Sequence, residues 1–174
     1  MKQNRNLEFG GRLHAGRIDF FGDDFKFDYS EFKIKLTDVD SMRISVPADA
    51  PNEQGRYPLI AVQNYLKGIN GEIIIDSLNN KSGLKPALGY PLFTCTSNSY
   101  VYWDDASVFG GVYARDKFYF KVEPFVMDSA ANLTKYNVRF EGTFVSNIFP
   151  DSKEALVVQP DYSLGFTKET PPGG

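Results

Sequence analysis

The chain has 174 residues, of which 42% are hydrophobic and 15% aromatic, and its formal net charge is −3 at pH 7. This composition can form a packed core, and 15 Phe and 10 Tyr against 3 Met favour β-structure. Residues 1–87 carry twelve basic and twelve acidic side chains, and residues 88–174 carry seven and ten. This even spread disfavours nucleic-acid binding, which needs a basic patch, and the lack of a basic amphipathic helix or a long apolar run disfavours membrane insertion.

Short strands with a turn signal every eight to ten residues are predicted for residues 7–46, which contain no proline. Apolar and polar side chains alternate there, as in strands with one buried face. A polar loop follows at 47–58, and residues 59–66 form either a helical turn or an amphipathic strand. Residues 71–76 are predicted as a further strand.

A long loop is predicted at 77–91, where Asn, Lys, Ser, Gly and Pro are dense. Residues 128–135 could hold a short helix. Further strands are predicted near 92–95, 99–103, 108–113, 117–123, 137–145 and 155–158. The chain is therefore predicted to be all-β or strongly β-dominated, with a sandwich-like arrangement or stacked β-sheet layers.

Two internal similarities favour a repeated β-unit. Aromatic and branched residues recur 93 positions apart, in the pairs 25 and 118, 27 and 120, 29 and 122, and 32 and 125. Separately, Gly11, Gly71 and Gly142 each lie two residues from apolar residues on both sides. A glycine inside a strand marks a bulge or a close approach of backbone. These patterns leave open an origin in a β-repeat array.

The predicted organisation is a single β-rich domain at 7–166, preceded by a disordered lead at 1–6 and followed by a linker-like tail at 167–174. Repetition would divide the domain into two related units joined by the long loop, namely 7–76 and 92–166. A complete chain with no apolar leader would be cytoplasmic. The tail and the early first strand instead favour a fragment of a longer protein.

No catalytic signature accompanies the single histidine, His14, or the single cysteine, Cys95. His14 is predicted to face solvent, and Cys95, which alternates with Phe93, to be a small buried side chain. One His and one Cys are too few for a zinc site, and the Asp-rich turns do not match the EF-hand pattern. The sequence therefore predicts no enzyme, no cofactor and no metal.

The most suggestive local cluster contains Tyr100, Tyr102, Trp103 and Asp104, which form the candidate ligand-binding set. On a strand Tyr100, Tyr102 and Asp104 share one face, and Trp103 lies on the other. Such tyrosines could stack on sugar rings, but a row at the boundary of a core with Trp103 buried looks the same, and we favour that packing interpretation. Asp104 and Asp105 are predicted to point to opposite faces, so they cannot serve one cleft as a glycosidase pair unless the strand bulges.

Several phrases of the sequence resemble an internal segment of very large, uncharacterised β-rich proteins of Gram-negative bacteria. They are found at 79–85, 100–104, 115–122, 140–146, 148–151 and 159–166. The resemblance covers most of residues 7–172. It implies that the chain is part of an extracytoplasmic protein, in the periplasm or at the cell surface, and it carries no activity or catalytic residue.

Two functional hypotheses follow from these observations. The first is a structural or scaffolding β-module of a larger envelope or surface protein, whose partners are neighbouring repeats or domains of the same parent. The alternative is a carbohydrate-binding module that uses the aromatic row and has a glycan as its partner. A hydrolase has almost no support in the sequence.

Overall fold

A computed structural model describes residues 5–104, 110 and 113–166, and it confirms the predicted all-β fold. Within these ranges twelve strands form one antiparallel sheet. Short 3-10 helices lie at Leu78–Asn80 and Ala130–Asn132. The strands are β1 (Leu7–Ala15), β2 (Ile18–Asp28), β3 (Lys33–Pro47), β4 (Leu59–Ala61), β5 (Leu66–Ile74), β6 (Leu92–Cys95), β7 (Ser99–Tyr102), β8 (Phe118–Val122), β9 (Phe125–Met127), β10 (Arg139–Ser146), β11 (Ser152–Val158) and β12 (Leu164–Gly165).

The individual element predictions hold with two qualifications. Residues 59–66, left open between helix and strand, form only the three-residue strand β4 before β5 begins. The strand predicted at 108–113 falls mostly outside the described residues, as do the tail at 167–174 and residues 1–4 of the lead. Of the rest of that lead, Arg5 Nη1 donates to Tyr29 Oη at 3.3 Å, and Asn6 Oδ1 accepts from Tyr29 N at 3.0 Å.

The sheet follows the chain closely, in the order β1-β2-β3-β5-β7-β8-β10-β11-β12. β4 pairs only with β3, while β6 pairs with β5 and β9. β6 and β7 thus form two halves of one bent strand along β5, and β9 extends β8 in the same way after Pro124. Neighbours in sequence are neighbours in space, which is the meander that regularly spaced turns predict.

A one-residue shift of register crosses this sheet as a continuous line. It falls between Phe9 and Gly11 in β1, between 21 and 24 in β2, and between 36 and 39 in β3. At β5, Gly71 pairs with Cys95, whereas Lys67, four residues earlier, pairs with Tyr100, five residues later. The pairing of β6 and β7 with β9 and β8 shifts by one residue in the same region.

We call this line the crease and define it by Gly10, Gly22, Asp38, Asn70 and Thr96. Asn70 links three strands, because its Oδ1 accepts from Asp38 N at 2.9 Å and its carbonyl accepts from Thr96 N at 2.8 Å. Asp38 adopts φ 45°, a left-handed conformation that Asp tolerates better than most residues. β-Bulges of this kind bend a strand and increase its twist.

The crease lets both halves of a strand bury their apolar side chains. Phe20 and Phe25 on β2 are five residues apart, so strict alternation would put them on opposite faces, yet both are fully buried. The bend also brings distant strands together. The rings of Phe20 on β2 and Phe93 on β6 meet edge to face at 4.9 Å, although β3 and β5 lie between these strands in the sheet. The sheet therefore curls over one core, the predicted sandwich-like arrangement.

Segments outside the strands close the core. Arg17 N, in the β1–β2 turn, donates to Ala130 O at 2.8 Å, and Gln63 N donates to Tyr162 O at 2.9 Å. The hydrophobic cluster contains residues of both 7–76 and 92–166. The division into two related units stays a prediction. Of the repeated aromatic positions, 25 and 27 lie on a strand like their counterparts 118 and 120, but Tyr29 and Phe32 lie in a turn.

The three glycine positions behave as the sequence pattern predicts. Gly11 has φ 106° beside the register shift in β1. A Cβ on Gly71 would overlap the carbonyl oxygen of Thr94, and one on Gly142 would overlap that of Lys121. These two glycines allow neighbouring backbones to approach where no side chain fits.

We predict that Gly71→Ala lowers the free energy of unfolding by at least about 2 kcal/mol, because the new methyl group meets backbone that cannot move aside. Gly165→Ala is the matched control, since its Cβ would meet only the flexible Gln159 side chain. Urea denaturation midpoints measure both. An unchanged midpoint for Gly71→Ala would contradict the close packing of β5 against β6.

Candidate ligand-binding slot

Tyr100 and Tyr102 lie on the outer face of β7, opposite the core. Their neighbours Ser99 and Val101 are fully buried, so the alternation along the strand is the predicted one. Tyr119 on β8 is the cross-strand partner of Tyr102. The three rings lie 6.0 to 6.2 Å apart between centroids, with those of Tyr100 and Tyr102 nearly parallel. Each is partly exposed.

Trp103 does not belong to this tyrosine cluster. It lies on the core side, where its ring is 5.8 Å from that of Phe118 and 6.5 Å from that of Phe144. The candidate set predicted from sequence is therefore divided between two faces. Tyr100, Tyr102 and Asp104 remain available on the outer face, and Trp103 contributes to packing.

A slot opens beside Tyr102, next to the single residue pair, Lys67 and Tyr100, through which β5 and β7 are paired. Its volume is about 380 Å³. The slot is defined by its lining residues, which are Gln63, Asn64, Tyr65, Lys67, Tyr102, Asp104 and Arg115.

Arg115 and Asp104 form one wall of the slot. The Nε of Arg115 donates to Asp104 Oδ2 at 2.8 Å, and the guanidinium carbon lies 4.5 Å from the centroid of the Tyr102 ring. The cation therefore covers one face of Tyr102 while it orients Asp104. Both charged side chains are partly exposed, so their ion pair adds little to stability and can exchange partners with a ligand.

Tyr65 also lines the slot, just before the start of β5. Its hydroxyl accepts a hydrogen bond from Arg43 Nη1 at 3.1 Å. The guanidinium of Arg43 and the ammonium of Lys67 lie 5.3 and 5.4 Å from the centroid of its ring, and the ring of Phe21 lies 6.3 Å away. These contacts fix the position of the Tyr65 ring.

Two amide side chains close the end of the slot. Gln63 Nε2 donates to the carbonyl of Asp161 at 2.7 Å, and Asn64 Oδ1 accepts from Leu164 N at 2.8 Å. The β11–β12 turn thus fixes both side chains. The other side-chain atoms of the two amides, Gln63 Oε1 and Asn64 Nδ2, have no hydrogen-bond partner among the described residues. Both can bind hydroxyl groups.

One tyrosine of the slot, Tyr102, has a shifted pKa. Burial raises the pKa of the Tyr102 phenol, and the Arg115 cation partly offsets that rise by favouring the phenolate. Tyr102 is therefore a neutral hydroxyl at neutral pH. It can donate or accept a hydrogen bond from within the slot.

The other chemically distinctive residues lie elsewhere. Cys95 is buried, as predicted, and burial raises the pKa of its thiol, which makes it a poor nucleophile. His14 is exposed, also as predicted, and its Nδ1 lies 2.8 Å from Asp19 Oδ1. In the described part of the chain, no three His, Cys, Asp or Glu side chains come together as a metal site. No helix there is long and apolar enough to cross a membrane.

Sequence analysis missed five of the seven residues that line the slot and the neighbouring Tyr119. The five are Gln63, Asn64, Tyr65, Lys67 and Arg115. Arg115 and Tyr119 belong to the segment 115–125, in which apolar and charged residues alternate. This alternation shows which side chains share a face of the strand, but not which strands lie beside it. Tyr65 and Lys67 lie in or beside the segment whose structure was left open. Their contact with β7 depends on strand order, for which the sequence has no local signal.

Comparison of the chain with known protein families, with curated proteins and with solved structures finds no match. The resemblance to large β-rich proteins of Gram-negative bacteria therefore stays a prediction. The slot is interpreted from its own residues.

We predict that Arg115→Gln raises the pKa of Tyr102 further, because the variant removes the cation that favours the phenolate. NMR titration of ring-labelled tyrosine measures this value. Arg139→Gln, which removes an exposed arginine paired with Glu141 on β10, should leave it unchanged. A Tyr102 pKa that falls in Arg115→Gln would contradict the contact between the two side chains.

Proposed function

We propose that the chain is a carbohydrate-binding module and that the slot between β5 and β7 holds the sugar. The single observation that carries the proposal is the lining of the slot, in which two tyrosines lie together with amide, ammonium and guanidinium groups. Sugars present apolar C–H faces and a rim of hydroxyls. Aromatic rings and planar hydrogen-bonding side chains suit these two surfaces.

The size of the slot supports a small ligand. Its volume of about 380 Å³ falls in the range of about 300–1,000 Å³ that is usual for small-molecule sites. Its side chains are held by their own contacts, Asn64 by Leu164 and Tyr65 by Arg43. A site fixed in this way loses little conformational entropy when it binds.

Binding without hydrolysis is the better supported activity. Glycoside hydrolysis generally needs two carboxyl groups on either side of the scissile bond. Among the described residues that line the slot, Asp104 is the one carboxylate, and Arg115 binds it.

We predict that Tyr102→Ala lowers the affinity for a bound glycan by roughly tenfold or more, equivalent to ~1.4 kcal/mol, because one wall of the slot is lost. Glycan-array screening of the wild-type chain identifies the ligand, and titration calorimetry then compares the variants. Tyr136→Ala is the matched control, since Tyr136 is 86% exposed and lies outside the slot.

Thermal unfolding of both variants checks that they remain folded. Absence of glycan binding by the wild-type chain would contradict the proposal. Equal loss of affinity in Tyr102→Ala and Tyr136→Ala would place the ligand elsewhere.

A structural module is the second candidate, and the observation that favours it is the long edge strand β1. This strand spans nine residues and, among the described strands, pairs with β2 alone. A neighbouring repeat of similar structure could add a strand there. The opposite edge, β12, has only two residues and offers much less backbone.

The same strand also carries features that protect edges from pairing. The shift of register at Gly10 and Gly11 interrupts its backbone, and the charged side chain of Arg12 is exposed beside it. Natural sheets use bulges and charges of this kind to prevent edge-to-edge association. For this reason we place the structural role second.

If β1 pairs with a neighbouring repeat, its amide protons should become more protected from hydrogen exchange as the concentration of the chain rises. Hydrogen-exchange mass spectrometry of 7–15 measures this protection, and sedimentation velocity reports association in parallel. The amides of residues 71–74 in β5, which lie between β3 and β6, serve as the internal control. Constant exchange in β1 together with a monomer at every concentration would count against the structural role.

A further inference from the structure

We propose that the carbohydrate is acidic and that its carboxylate or sulfate group binds at Lys67, between Tyr65 and Arg115. This inference rests on the proposed function and specifies the ligand class of the same slot. It follows from the charges around the slot, from the hydrogen-bond state of Tyr65 and from the remaining donors of Arg115.

The charge at the slot is opposite in sign to that of the chain. The lining of the slot holds two cations, Lys67 and Arg115, against the single carboxylate of Asp104, and a third cation, Arg43, contacts Tyr65. The chain as a whole has a net charge of −3. A local excess of positive charge on an acidic protein favours an anionic ligand at this position.

Lys67 is the cation best placed to bind an anion. It forms no salt bridge with any described residue, and its ammonium lies 5.4 Å from the centroid of the Tyr65 ring. Its cross-strand neighbours on β3 and β7 are Ser41 and Tyr100, neither of which is a carboxylate. The three N–H donors of the ammonium are therefore available to a ligand.

The proton of the Tyr65 hydroxyl is available to a ligand in the slot. Its oxygen already accepts from Arg43 Nη1 at 3.1 Å, and no acceptor for its own proton exists among the described residues. The Nε of Arg43 is buried and likewise has no hydrogen-bond partner there. Because Arg43 draws electron density from the Tyr65 oxygen, the O–H donates more strongly, and it does so best to an anion.

Arg115 supplies a third group of donors. Only its Nε is used by Asp104 among the described residues, so the two terminal nitrogens remain for a ligand oxygen. Asp19, the cross-strand neighbour of Arg43, does not cancel this charge, because Arg12 and His14 bind it at 2.9 and 2.8 Å. Lys121, the partner of Tyr100 on β8, adds a further positive charge on the same face.

Three probes test the inference by titration calorimetry at low ionic strength. The first is an oligosaccharide of uronic acids, the second is the same oligosaccharide with its carboxyl groups reduced to alcohols, and the third is that reduced form after sulfation. We expect the two acidic probes to bind about tenfold or more tightly than the reduced one, and added salt to remove most of the difference.

Lys67→Gln should abolish the preference for the acidic probes, so that the variant binds the acidic and reduced probes with about equal affinity. Lys153→Gln is the matched control, because Lys153 is an exposed lysine on β11 that does not line the slot. Binding of one acidic probe only would identify its anionic group as the one recognised, and this outcome supports the inference.

Equal affinity for the acidic and reduced probes would overturn the inference and leave the proposed function standing. A preference that survives in Lys67→Gln would overturn it as well. If none of the three probes binds and the glycan array also shows no ligand, both the inference and the proposed function are overturned.

Discussion

The structure depends on a one-residue shift of register that crosses the sheet from Gly10 to Thr96. Without it, the apolar side chains in the two halves of a strand as long as β2 would point to opposite faces of the sheet. Those of one half would then be exposed to water. Asn70 maintains the crease, because its side chain and its carbonyl hold the backbones of β3 and β6 at the point where ladder hydrogen bonds are interrupted. One core therefore serves a sheet of twelve described strands.

The crease also explains the position of the slot. β5 changes its neighbour there, from β6 at Gly71 to β7 at Lys67. The second pairing consists of a single residue pair near the start of β5, and side chains of the outer face line the slot beside it. The position of the slot is thus linked to how the sheet bends.

Local patterns were sufficient to predict the fold class, most strands, the glycine contacts and the separation of Trp103 from Tyr102. All of these follow from period-two alternation and from the steric demands of glycine. The slot could not be predicted from the sequence, because Tyr65, Arg43 and Arg115 come from distant parts of the chain and are brought together only by the strand order. Alternation shows that Tyr102 faces outward, but not that a cation covers its ring. For that reason the packing interpretation of the tyrosine row was incomplete.

The most direct test of the account is an NMR titration of the labelled chain with an oligosaccharide of uronic acids. Binding in the slot predicts chemical-shift changes at the amides of 63–67, 102–104 and 115, and almost none at β1 or the loop 77–91. It also predicts that the Tyr65 and Tyr102 ring signals shift with the same saturation curve. Changes confined to β1 or to the loop, or no changes at all, would contradict a carbohydrate site between β5 and β7.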